Sequence, residues 1–357
     1  MLVRINRAVA VASVIVVLTV AAGLLVSHVL HHDSRIESAL RTIPEQTLVA
    51  NFTDWSAVRS ALAPEIASTS PAGERASLFA RAYDRDFTTT SVLGVFDPEM
   101  ATTYGWTVLD STWEMYGQSR DGAVDVLRMS AGFDFAAADR ALTKLGYAAG
   151  VGGVRVADAG AMVAIAPDLT PQLTAIALLP DEGLIVTSDT PAYAGLTLAT
   201  ISGSAPSVYD GDVGVRAMSA ALTDTSVSAL MDVGTYSCTA AGFGQADAGE
   251  REVARQRISE VGGVAETQGL TLSIAAGRSL TVVLNFASPD QAAADLAPRR
   301  ALARGVAPAQ GGTFEERFSI AGAGTVGSEI VLVLDPRTPD TQLLRDLGRG
   351  GLLFASC

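Results

Sequence analysis

The chain has 357 residues, 48% of them hydrophobic and 18% charged, with 38 acidic against 25 basic side chains and a net charge of −13. That balance excludes both a chain disordered throughout and one built mainly of membrane spans, and the length suffices for an anchor plus one large or two ordinary domains. The acidity also disfavours nucleic acid and anionic lipid headgroups as partners, because both are held through basic patches.

Residues 8–29 contain no Asp, Glu, Lys or Arg and are rich in Val, Ala and Leu. At 1.5 Å of rise per helical residue such a run crosses a hydrocarbon core of about 30 Å, so it predicts a transmembrane helix seated in the plasma membrane. Arg4 and Arg7 precede it, while His28, His31, His32 and Asp33 come at its far end. The positive-inside rule then puts the N-terminus in the cytoplasm and the chain beyond about residue 32 outside. A cleaved signal peptide is the competing reading, with Val20, Ala21 and Ala22 as the cleavage site and a mature chain beginning near Gly23. The apolar run continues through Leu24, Leu25, Val26, Val29 and Leu30, longer than a signal-peptide core of about 7–15 residues, which favours an uncleaved signal anchor. No cysteine lies near it to carry a lipid.

All three histidines are at positions 28, 31 and 32, so the outer domain has none. Ser-His-Asp and Cys-His catalysis and histidine-based zinc sites are thereby excluded. Lys144 is the only lysine, which removes a phosphate-binding Gly-Lys-Ser/Thr loop and Ser-x-x-Lys acylation. No cofactor or metal site is assigned. Without Arg4 and Arg7, 23 basic residues face 38 acidic ones, a surplus that keeps an exported domain soluble or attracts cations and basic partners.

The outer domain reads as an α+β fold of alternating short strands and helices. Residues 31–41 form a juxtamembrane stalk or first helical turn, 47–52 a strand, and 55–62 a helix with Asp54 as its N-cap. Further strands are predicted over 123–129, 174–179, 183–187, 227–232, 270–275, 280–286 and 330–334, and helices over 136–145, 192–200, 250–261, 291–303 and 341–347. Residues 126–134 leading into 135–139 resemble 282–290 leading into 291–295 at a constant offset of 156, each a strand, an Asp-marked turn and an Ala-rich helix. The pattern predicts duplicated sheet-plus-helix halves: an anchor over 1–32, a first half over 33–205 and a second over 206–357, joined at the turn-rich stretch 201–211.

Asp97 and Glu99, followed by Tyr104, Trp106, Trp113 and Tyr116, are the most distinctive local chemistry. Aromatic walls with carboxylates bind carbohydrate or carry glycosidic acid–base chemistry, yet aromatics also simply fill cores. Cys238 and Cys357 are the only cysteines, and an exported location makes a disulfide between them chemically reasonable, with two independent thiols as the alternative. Gly322, Gly324 and Gly327 have dinucleotide-fingerprint spacing but lead into an apolar strand where a helix is required, so they read as a glycine-rich hairpin. Asp210 and Asp212 hint at calcium, but the remaining loop ligands are missing and a turn before a helix over 213–222 is the ordinary account.

The stretches 43–54, 184–191 and 213–222, taken with the anchor, resemble an uncharacterised family of exported, membrane-anchored proteins of actinobacterial type with two related α+β halves. That resemblance implies an envelope protein and transfers no active-site residue. The leading expectation is therefore a non-catalytic binding or scaffold protein whose partner is an envelope protein or a glycan. The alternative is a carboxylate-dependent glycan hydrolase without histidine, which needs two carboxyl groups within about 10 Å in an aromatic-walled cleft.

Overall fold

Asp54 shows how local chemistry sets the elements: its side chain accepts from the Ala57 amide at 2.8 Å, satisfying a free donor of the first turn, and the helix Trp55–Leu62 starts where the sequence predicts. Asp134, Thr190, Asp212, Asp247 and Ser288 start helices in the same way. The computed structural model describes residues 34–157, 171–222 and 225–357. The predicted span over 8–29 and its competing cleavage site lie outside the described residues, among which no helix is long and apolar enough to cross a membrane.

The described strands are β1 (Val49–Thr53), β2 (Ser111–Gln118), β3 (Ala123–Met129), β4 (Ala148–Ala149), β5 (Arg155–Val156), β6 (Ala175–Leu179), β7 (Leu184–Ser188), β8 (Ser226–Val233), β9 (Gly269–Ala275), β10 (Leu280–Asn285), β11 (Phe318–Val326) and β12 (Glu329–Pro336). They form one antiparallel sheet in the order β11-β12-β10-β9-β8-β1-β2-β3-β7-β6-β5-β4. The α+β class is as expected, with the strands gathered into a single large sheet.

Helices cover both faces, which is why several strands are apolar at consecutive positions instead of alternating. In β7, Leu184 and Val186 enter one core and Ile185 the other. On the first face the helices Trp55–Leu62, Ala72–Asp84, Phe135–Lys144 and Pro289–Leu302 bring Trp55, Leu78, Leu142 and Leu302 into a core with Leu127, Leu272 and Leu332. On the second, Arg35–Leu40, Pro191–Ile201 and Val213–Ala220 bring Leu40, Tyr193 and Met218 into a core with Phe52, Met115 and Val126. Arg35–Cys357 is one compact unit.

Outward from the central β1–β8 pair the strand order is β1-β2-β3-β7-β6 in one direction and β8-β9-β10-β12-β11 in the other. In both directions the third strand leads into a capped helix on the first face. The constant offset of 156 does not survive. It equates Val126 with Val282, but Val126 belongs to the core of the second face and Val282 to that of the first. Since strand side chains alternate with period two, a one-residue slip exchanges the faces. The helix caps disagree with it as well, because Asp134 is an N-cap whereas Asp290 sits inside its helix behind the cap Ser288.

Candidate functional site

The segment from Asp97 to Tyr116 is distributed through the interior. Asp97 opens the short helix Asp97–Thr103, is 2% exposed, and accepts from Arg75 Nε at 2.9 Å, while Glu99 is exposed on that helix. Tyr104 and Trp106 are packed in the first-face core with ring centroids 6.0 Å apart. The Tyr104 and Tyr147 hydroxyls are 2.8 Å apart, and Tyr147 donates to the Leu173 carbonyl at 2.6 Å. Trp113 belongs to the core on the opposite face, and Tyr116 is buried. The rings of this segment lie on both sides of the sheet and are used in packing, as in the core-filling alternative, and Asp97 is paired with Arg75.

A carboxylate that the sequence reading passed over lies between those aromatics. Glu114, on β2 and 1% exposed, accepts from Trp55 Nε1 at 2.8 Å and the Ser91 hydroxyl at 2.6 Å with one oxygen, and from the amides of Val92 and Leu93 at 2.8 and 3.0 Å with the other. It fixes the turn at 91–93 against the sheet. Asp125 on β3 is opposite Tyr116, diagonal to Glu114 and fully buried. Burial, followed by the charge of Glu114, drives its carboxyl well above the ordinary range. Neither Asp125 oxygen has a hydrogen-bond partner of normal geometry.

In the same cross-strand row, Thr187 Oγ1 and Asn51 Oδ1 are also buried without partners. Tyr116, between Asp125 and Asn51, is pushed up to about 12 by burial and then by the charges of Asp125 and Asp189 and by Tyr193. Nearby on β8, burial raises Asp232 to about 7. Glu114 with Asp125 is the kind of neighbouring carboxyl pair that acid–base chemistry uses. At 1% and 0% exposure, however, it meets no substrate.

An accessible concavity lies elsewhere, a cleft of about 770 Å³ where the end of helix Ala72–Asp84 faces the β9–β10 turn and the loop after β12. Its walls are held together by Asp86, buried with φ 66, which accepts from the amides of Leu344 at 2.5 Å and Arg345 at 3.2 Å, and by Gln342 Nε2, which donates to the Tyr83 carbonyl at 2.9 Å. Burial raises the Asp86 carboxyl, against the lowering by Thr89 and those two amides. Arg85, Arg278 and Arg337 line the cleft together with Asp84, Asp340 and Thr338. None of the three arginines was singled out from the sequence. A Gly277-Arg278 turn between two predicted strands is legible, but nothing local says that the arginine is buried.

The remaining motifs are structural. Asp212 caps Val213–Ala220 by accepting from Gly214 and Val215, and Asp210 pairs with Arg41 at 2.9 Å. Among the described residues no group of three or more His, Cys, Asp or Glu is arranged to hold a metal. Gly322 and Gly324 lie within β11, and Gly327, with φ 59, makes the turn into β12, so the hairpin reading holds. Cys238 and Cys357 are joined in a disulfide with Cα atoms 5.4 Å apart.

No family model matches this chain. No curated protein matches it either. Two solved structures are similar at 9% identity: crystal form I of TP0453, at a TM-score of 0.40, and crystal form III, at 0.42. Each covers 87% of this chain, which in turn covers 96% and 97% of theirs.

Proposed function

We propose that this is a membrane-anchored, extracytoplasmic protein of the cell envelope that binds a partner or small component and catalyses no reaction. The observation that carries the reading is where the carboxylates lie. Glycosidic chemistry needs two carboxyl groups facing one substrate. Here Glu114 and Asp125 are sealed between sheet and helices, and Asp97 is buried against Arg75. The open cleft is instead arginine-lined, as a binding site for an acidic group is. The location rests on the charge-free run at residues 8–29 and the basic residues before it. We read the matching strand order on either side of β1 and β8 as two related halves, in keeping with the exported family that the sequence resembles.

External protease on intact spheroplasts, followed by mass spectrometry of the terminal peptides, tests the placement. The expected result is loss of the outer domain with survival of a protected N-terminal peptide. A mature chain starting near Gly23 would mean release by cleavage, and full protection of the outer domain would overturn the outside location. Hydrolysis of purified cell-wall glycan that is abolished in Asp97→Asn or Glu114→Gln protein of native stability would overturn the non-catalytic reading.

A further inference from the structure

The arginine-lined cleft contains a buried cation that forms no ion pair among the described residues. Arg278 sits at the tip of the β9–β10 hairpin with φ 71, a left-handed conformation in which a non-glycine residue is uncommon. Its side chain is carried inward to 9% exposure. Nη1 donates to the Pro339 carbonyl and Nη2 to the Thr341 carbonyl at 2.7 Å, both neutral acceptors. Its Nε is buried without an acceptor, and among the described residues no carboxylate pairs with the guanidinium. Two further cations share the cleft: Arg337, whose Nε donates to the Glu315 carbonyl at 2.8 Å, and Arg85, at the end of helix Ala72–Asp84. Both are exposed, and neither forms an ion pair among the described residues. Guanidinium groups present planar, fixed donors that suit phosphate and carboxylate oxygens. A buried one without a compensating anion is costly, and a bound anion removes that cost.

We infer that this cleft binds a phosphate group, with the guanidinium of Arg278 as its fixed inner charge and Arg85 and Arg337 as the exposed donors on its walls. Thr338 adds a hydroxyl on the same wall. Asp84 and Asp340 also line the cleft and are exposed, so a bare polyanion is disfavoured. The favoured ligand is a phosphate ester carrying hydroxyl or ammonium groups, which those carboxylates accept from. The same chemistry is found in a soluble phosphate ester and in a phospholipid headgroup. This inference deepens the binding role proposed above and rests on it only for the ligand's biological source.

The test uses the purified full chain in neutral detergent, titrated calorimetrically with inorganic phosphate and with glycerol 3-phosphate, and a flotation assay with phosphatidylglycerol vesicles against phosphatidylcholine vesicles. Arg278 holds the loop after β12, so its removal endangers folding, and the exposed pair is varied instead. The expected result is glycerol 3-phosphate bound more tightly than inorganic phosphate. Arg85→Ala with Arg337→Ala should weaken it at least tenfold without moving the unfolding temperature, and Asp84→Asn with Asp340→Asn should tighten inorganic phosphate. Selective flotation lost in the arginine variant assigns the phosphate to a headgroup, whereas calorimetric binding without flotation assigns it to a soluble ester. Binding of neither ligand, or an equal loss in the distant, exposed Arg120→Ala variant, overturns the site. Because the titration needs no cell, its failure is distinguishable from failure of the envelope location.

Discussion

Asp232 has no ionic partner among the described residues, and its carboxyl is 5% exposed on β8, where burial alone raises it to about 7. The unfolded chain loses that proton near pH 4, so between about pH 4 and 7 the folded state binds more protons than the unfolded one. Its contribution to stability is therefore full below pH 4, falls as pH rises, and levels off above 7. Three pH units at 1.36 kcal/mol each set a ceiling of about 4 kcal/mol. Asp232→Asn should match the wild type in urea unfolding at pH 4 and exceed it by about 2–4 kcal/mol at pH 8; an equal or lower stability at pH 8 would mean that the carboxylate is solvated in the folded state. The same burial explains why the site was only partly legible. Asp97 and the aromatics are conspicuous in sequence but are used in packing. Glu114 and Asp125 look like ordinary outward-facing strand residues, and only the second helical layer, which a local pattern does not reveal, makes them interior. Arg278 was missed for a related reason, since its burial comes from a loop some 60 residues later in the chain.

Elements with a clear period or cap were read correctly. Trp55–Leu62 announces itself by Asp54, and β7 and β10 by continuous runs of branched residues. The helix Ala72–Asp84 was missed because Arg75, Leu78 and Ala82 are its only buried positions, too narrow a stripe to stand out. β2 was absent from the predicted strands because its polar and apolar positions are buried alike between two covered faces and do not alternate. The disulfide between Cys238 and Cys357 spans 119 residues, for which loop entropy alone allows up to about 4–5 kcal/mol. The C-terminal segment is also held without it: Phe354 packs on Phe314 and Phe318 with centroids 5.3 and 6.2 Å away, and buried Arg299 donates to the carbonyls of Phe354 and Ser356. These contacts place the tail in the folded state, whereas the disulfide acts mainly by restricting the unfolded chain. Cys238→Ser with Cys357→Ser should lower stability by about 2 kcal/mol while leaving the circular dichroism spectrum native. A disordered protein, or a spectrum that departs from the native one, would show that the aromatic and arginine contacts do not hold the tail unaided.

At the scale of the whole molecule the two halves do not meet as finished domains. β1 and β8 pair along five residues, from Val49 opposite Asp232 to Thr53 opposite Ser228, and the sheet runs through the join without a break. On the second face, Ile36, Leu40 and Ile43 share a core with Val208, Val215 and Met218, and the Arg41 guanidinium lies 4.0 Å from the centroid of the Tyr209 ring. On the first face, Asp86 caps the start of the helix Leu343–Leu347 by accepting from its free first-turn amides. Cutting between residues 205 and 206 would leave both β1 and β8 as central strands turned into edges, each with a row of unpaired backbone groups and an open apolar face. Residues 34–205 and 206–357 made separately should therefore be aggregated or largely unfolded, and refolding the two together should recover a one-to-one complex with the parent's circular dichroism and elution volume. Should either fragment fold alone as a soluble monomer, the β1–β8 pair would be a docking contact between independent domains, and the cleft between the halves could then open and close as they move. With a join that forms only as the sheet forms, the cleft walls at Arg85 and Arg278 are fixed relative to one another, and ligand selection there depends on preorganised charge.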